Sequence, residues 1–126
     1  MFPSDLCYTE EHEWVKVDDD VATIGITAHA TDELGEIVFC DLPSVGAEII
    51  QMDEFGSVES VKTVSSLFSP VTGIVSEINV EVVGAPSIIN DSPYDSGWLI
   101  KVKLSDPKEV DDLLTPEEYK SHVKAE

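Results

Sequence analysis

One amine stands out by its surroundings. From Ser60 to Ser76 the chain reads SVKTVSSLFSPVTGIVS, and the only formal charge in that stretch belongs to Lys62. Two strand-like arms, FGSVESV and TVSSLF, meet near Lys62, so pairing them as a hairpin puts the lysine at the tip. A tip offers the amine to a modifying enzyme, and the arms anchor it to a rigid sheet. The plainer reading is a solvated turn lysine, a common feature of protein surfaces.

Other chemistry is thinly represented. His12, His29 and His122 are scattered along the chain. His29 and Glu33 stand four apart where a helix is expected, a spacing that alone gives a surface pair and no metal site. Asp18 to Asp20 lack the spaced ligands of a calcium loop and lie between two strand-like runs, which suits a solvated hairpin turn. No Gly-rich phosphate loop, G-x-S-x-G elbow, cysteine with a nearby histidine motif or motif-defined carboxylate pair is present. The chain is therefore expected to be a non-enzyme without a metal.

The elements that must hold Lys62 read as short strands. WVKV, VATIGIT, EIVFCDL, AEIIQ, FGSVESV, TVSSLF, GIVSEINV and WLIKVKL are rich in Val, Ile, Thr and Phe and are divided by turn-forming residues. In the last, Trp98, Ile100, Val102 and Leu104 alternate with Lys101 and Lys103, the pattern of a strand with one buried face. Short strands without long intervening helices favour antiparallel pairing in a sandwich or flattened barrel. Three short helices are expected: TAHATDELG, capped by Thr27 and stopped by Gly35; DPKEVDDLL, with Asp106 as cap, Pro107 first and Glu109 three on; and TPEEYKSHV, with Thr115, Pro116 and Glu118. VGAEII at Val45 and VGAPSII at Val83 hint at a duplication. The expected organisation is a single domain over residues 1–126, with a β core at about 8–104 and a helical appendage at about 105–126.

Bulk properties narrow the class. A hydrophobic fraction of 42% with no apolar run near the roughly 20 residues of a membrane span reads as a folded, non-membrane protein. The net charge of −19, from 26 acids against seven lysines, repels phosphate backbones and anionic lipids. No nucleic-acid or membrane partner is expected. The same charge gives solubility or steers the chain toward basic patches on partner proteins, and both readings stay open. Cys7 and Cys40 are expected as free thiols in a reducing compartment, Cys40 being buried within EIVFCD. The N-terminus MFPSDLCYTEEHEW has neither the basic and apolar regions of a signal peptide nor the arginines of a transit peptide.

The blocks HEWVKV, VATIGIT, LGEIVFCDLPSVG, ESVKTVSSLFSPVTGIVSEIN and NDSPYDSGWLIKVK resemble the H proteins of the glycine cleavage system. The resemblance runs from about Tyr8 to the C-terminal helix, and the ESVK block followed by SPVTG is its most specific part. It implies a barrel-sandwich hybrid of two antiparallel sheets, like a lipoyl domain, with Lys62 as the lipoyl-lysine and lipoic acid as covalent cofactor. It also implies a shuttle carrying an aminomethyl group and reducing equivalents between three partners: a pyridoxal-phosphate glycine decarboxylase, a tetrahydrofolate-dependent aminomethyltransferase and dihydrolipoyl dehydrogenase. A lipoyl or octanoyl transferase, or a ligase, would load Lys62. Glu13, in HEW, matches an acidic residue near the loaded arm. Ser66 replaces the acidic residue that many members carry four positions after the lysine. Asn90, Pro93, Tyr94, Gly97 and Trp98 match a motif read as shaping the loop before the last strand. A monomer in the bacterial cytoplasm is expected, with the mitochondrial matrix, as a mature form, the alternative.

Three other readings compete. A biotin carrier uses a similar hairpin lysine, but Val61 and Thr63 stand where methionines usually flank it. An H-like protein relaying lipoate to other enzymes and an unmodified module docking through its acidic face are the others.

Overall fold

Alternating apolar residues build two sheets that close on one another. The computed structural model describes residues 2–126. Its strands are β1 Cys7–Tyr8, β2 Glu13–Asp18, β3 Val21–Ile26, β4 Ile37–Asp41, β5 Glu48–Ile49, β6 Glu54–Ser60, β7 Val64–Phe68, β8 Gly73–Ile78 and β9 Ile100–Leu104. Six form one sheet, in the order β1-β2-β3-β9-β8-β5, and β4-β6-β7 form the other. Every named strand pair is antiparallel. This is the expected barrel-sandwich hybrid, and its core packs Ile24, Ile37, Val58, Leu67, Ile100 and Val102 between the sheets.

Two strand expectations change. β5 spans only Glu48–Ile49, because Ile50 turns outward into solvent. β9 begins at Ile100, so the alternation read from Trp98 fails at its start: Leu99 is fully buried, and Trp98 is only half-buried with Lys101 lying over its ring. Asp18 ends β2, and Asp19 and Asp20 form the exposed β2–β3 turn that the composition implied, with Asp19 in the left-handed region.

The helices are α1 Ala28–Leu34, α2 Val80–Gly84, α3 Ser87–Asp91 and α4 Pro116–Ala125, with a 3-10 helix at Pro107–Asp112. Thr27 caps α1 through the amide of Ala30, and Gly35 ends it. Thr115 and Glu118 complete both halves of the capping box on α4. The DPKEVDDLL segment forms the 3-10 helix, capped by Asp106 through the Lys108 amide, and Glu109 does not return to the cap. Its carboxylate accepts from the amide and hydroxyl of Thr72 at 2.7 and 2.8 Å, tying the segment to the β core. The helices α2 and α3 were not expected, since five residues show no helical period and VEVVG has the composition of a strand. They also dispose of the duplication, because Val45 precedes a strand whereas Val83 lies within α2.

A second apolar cluster of Leu6, Tyr8, Trp14 and Tyr119 seats α4 against β1 and β2. The Tyr8 and Tyr119 rings stack with centroids 4.7 Å apart. Trp14 lies flat across Gly25, its partner in the β2–β3 ladder, and a methyl on Gly25 would fall 2.5 Å from the indole. Gly25→Ala is therefore expected to cost about 1–3 kcal/mol by overpacking, read as a lower urea midpoint at unchanged m-value.

Candidate functional site

The β6–β7 hairpin turns without a glycine or proline because a serine takes over the work. The Ser60 hydroxyl, buried beneath the bend, accepts from the amides of both Lys62 and Thr63 at 3.1 Å. The Ser60 amide donates to the Thr63 carbonyl at 2.8 Å, closing the turn. Lys62 is exposed at the tip, and it takes part in none of the ion pairs found among the described residues. Its backbone is fixed and its amine is free.

Contacts beyond the hairpin hold the tip in place. The Val61 amide donates to the Glu36 carbonyl at 3.1 Å, joining the bend to the α1–β4 connection. Asn90 clamps that connection from α3: its Nδ2 donates to the Gly35 carbonyl at 2.8 Å and its Oδ1 accepts from the Ile37 amide at 2.9 Å. Gly35 has φ +80°, and a Cβ there would stand 3.1 Å from Cε of Lys62. The residue that stops α1 thus also leaves room for the lysine stem.

The rest of the motif containing Asn90 is structural, as expected. The Tyr94 hydroxyl accepts from the Ala28 amide at 2.9 Å, and the Pro93 carbonyl accepts from the Trp14 indole at 2.8 Å. Trp98 offers its carbonyl to Asn79 at 2.7 Å, and a Cβ on Gly97 would crowd the Ser92 carbonyl at 2.6 Å.

At the other end of β7 a cleft of about 360 Å³ opens between the hairpin base and the segments before β2 and α4. Met52, Phe68, Leu113 and Leu114 give it apolar walls, and Thr9 and Glu13 give it a polar floor. Glu13 is buried; Oε1 accepts from the Thr9 hydroxyl, and Oε2 accepts from the Phe68 amide at 3.3 Å. Burial raises its carboxyl from the ordinary 4.5 to about 8 against the lowering effect of those bonds, so near neutral pH the proton is largely retained. Such a group can take up or release a proton as charge enters the cleft.

The sequence-derived residues are only partly assembled. Lys62 is at the tip and Glu13 is in the cleft, with β7 between them. Ser66 does not line the cleft; it is exposed on β7 between Val64 and Phe68. Thr9 and the apolar walls were missed, because residues from four separate stretches meet there. The histidines overturn the expectation that they are scattered: His12, His29 and His122 all reach the carboxylate of Glu126. Cys7 and Cys40 are free thiols, as expected.

Comparison with known proteins adds an independent finding. The family model described as glycine cleavage H-protein matches residues 6–126. The chain is 55% identical over 123 residues to the glycine cleavage system H protein of Brevibacillus brevis, covering 98% of each. It is 52% identical over 121 residues to that of Staphylococcus carnosus, covering 96% of each. The crystal structure of a glycine cleavage system H protein from Mycobacterium marinum superposes with a TM-score of 0.92 at 37% identity, covering 98% of this chain and 99% of that one.

Two outcomes follow from the geometry. Glu13 favours folding most in its protonated form, so its contribution is full below pH 4.5 and is lost as pH rises through about 8. Glu13→Gln, which cannot ionise, is expected to flatten that fall in stability when denaturation is followed across the same range. Ser60→Ala leaves two tip amides without their shared acceptor and is expected to cost about 1–2 kcal/mol, with faster hydrogen exchange at Lys62 and Thr63.

Proposed function

Because the chain belongs to the glycine cleavage H-protein family, we propose that Lys62 is the residue on which it carries lipoate. Members of this family are lipoylated carriers, not enzymes, and they shuttle between the decarboxylase, aminomethyltransferase and dihydrolipoyl dehydrogenase of glycine cleavage. The observation that carries the assignment is an exposed amine on a fixed bend: Ser60 and the Glu36 carbonyl hold the backbone, while among the described residues no ion pair engages the ammonium. A ligase or lipoyl transferase needs that combination, access without a wandering target.

When bound, lipoate supplies a dithiolane that accepts a one-carbon amine and electrons together. The chain's own residues supply a tether and a shelter. Four residue steps from Val64 to Phe68 cover about 13 Å at about 3.3 Å each, the scale of an extended lysine joined to an eight-carbon acid. Val64, Ser66 and Phe68 occupy alternate positions on β7, so the face they share leads from tip to cleft. The apolar walls of Met52, Phe68, Leu113 and Leu114 suit a hydrocarbon chain.

Glu13 is the buried carboxyl among the acids that line the cleft, and it can answer a basic amine. Burial makes its ionised form costly, and a cationic amine beside it would offset that cost through a charge-assisted hydrogen bond. Ser66 offers only a hydroxyl where many relatives place a charge, and the acids that line the cleft are Glu13 together with Glu10, Glu11 and Asp112. The acidic surface steers a monomeric carrier to transient docking on its partners, where on-rate matters more than buried area. The bacterial relatives favour the cytoplasm as its compartment over the mitochondrial matrix.

Intact mass after incubation with lipoate and a lipoyl ligase tests the reading. Wild-type protein is expected to gain one lipoyl increment and Lys62→Arg none, with glycine-dependent turnover of a reconstituted system lost in the variant. Full turnover by Lys62→Arg, or a biotin increment in place of a lipoyl one, would overturn the assignment.

A further inference from the structure

Residues that are distant in sequence converge on the far side of α4. His12 lies in the loop before β2, His29 in the first turn of α1, and His122 and Glu126 at the end of α4. Nε2 of His12 is 2.9 Å from Oε2 of Glu126, Nε2 of His29 is 3.1 Å from Oε1, and Nε2 of His122 is 3.3 Å from Oε2. The donor atoms of His12, His29 and Glu126 all lie within 4.8 Å of one another. Glu33, one helical turn after His29, reaches the same nitrogen at 3.2 Å.

We propose that His12, His29 and Glu126, with His122 beside them, form a site for one divalent transition-metal ion of the zinc type, which clasps α1 and α4 to the loop before β2.

Three features favour a ligand set over a chance meeting of side chains. The first is spacing. Ligands about 2.0–2.1 Å from zinc stand about 3.3 Å apart at the corners of a tetrahedron, and the observed nitrogen–oxygen separations are already close to that edge. An ion seated among them would draw the two nitrogens and one carboxylate oxygen, now within 4.8 Å of one another, in to about that edge.

The second is the orientation of His12. Its Nδ1 is 2.7 Å from the Tyr119 hydroxyl, which is 2.7 Å from Oγ1 of Thr27. A proton on Nδ1 donated to Tyr119, with Tyr119 donating to Thr27, leaves the Nε2 lone pair facing Glu126. An outer hydrogen bond on the non-ligating nitrogen is how metal-binding histidines are held in one tautomer. The Tyr119 ring is itself locked by its stack on Tyr8. The His12 backbone is fixed as well, with φ +72° and its carbonyl accepting from the Thr27 amide at 3.0 Å.

The third is charge and softness. Imidazole and carboxylate donors select zinc, cobalt, nickel or copper over calcium and magnesium, which prefer all-oxygen shells. A net charge of −19 adds a field that draws cations.

The site is distinct from Lys62, and its test does not involve lipoate. Tag-free protein, freed of metal by chelator and dialysis, is titrated with zinc chloride by calorimetry and followed by thermal unfolding. One equivalent is expected to bind and to raise Tm, whereas magnesium chloride does neither, and cobalt chloride gives the visible absorption of a four-coordinate site. His29→Gln and Glu126→Gln, at partly solvated positions, are expected to keep the wild-type circular dichroism and to lose the tight equivalent, weakening zinc at least 10-fold. Absence of saturable zinc binding, or wild-type affinity in both folded variants, would overturn the proposal.

Discussion

A lysine meant for modification must be free at its amine and fixed at its backbone, and an unaided hairpin cannot meet both demands. Two-stranded ribbons are marginal in water, and their bends fray first. Here the constraint is met by the buried hydroxyl of Ser60, which gathers two amides at the tip, and by the bond from Val61 to the Glu36 carbonyl. Asn90 then fixes the segment that receives Val61. Each contact falls on backbone, so the stem of Lys62 is left to the solvent and to the space above Gly35.

The cleft at the other end of the hairpin applies the opposite logic. In a chain with so many solvated acids, Glu13 is taken out of water and given a neutral hydroxyl and a backbone amide as partners. Neither partner is a cation, so burial outweighs them and the proton is retained. The same carboxyl on the surface would add only one more unit to a large screened charge. Buried against Phe68, it becomes a group whose charge state responds to what enters, and it is tied to the strand that leads from the lysine.

Much of this was legible in the residues. The alternating strands, the caps of α1 and α4 and the exposed lysine between two apolar arms are local signals, and local chemistry decided them. The rest depends on contacts between remote segments. Glu109 had the spacing of a capping box, but Thr72, which no local rule pairs with it, took its carboxylate. The alternation was read as starting at Trp98, but the start of β9 is set by its neighbours and falls at Ile100. The histidines seemed unrelated because the loop before β2, α1 and α4 meet only when Tyr119 seats on Tyr8. Ser60 lies beside Lys62 in the sequence, yet a serine before a lysine is too common to announce a turn.

The large sheet ends on both sides in strands of two residues, β1 and β5. A neighbouring copy approaching either margin finds too few open amides and carbonyls to extend the ladder. Such a protein can meet one surface after another without its larger sheet growing into a polymer.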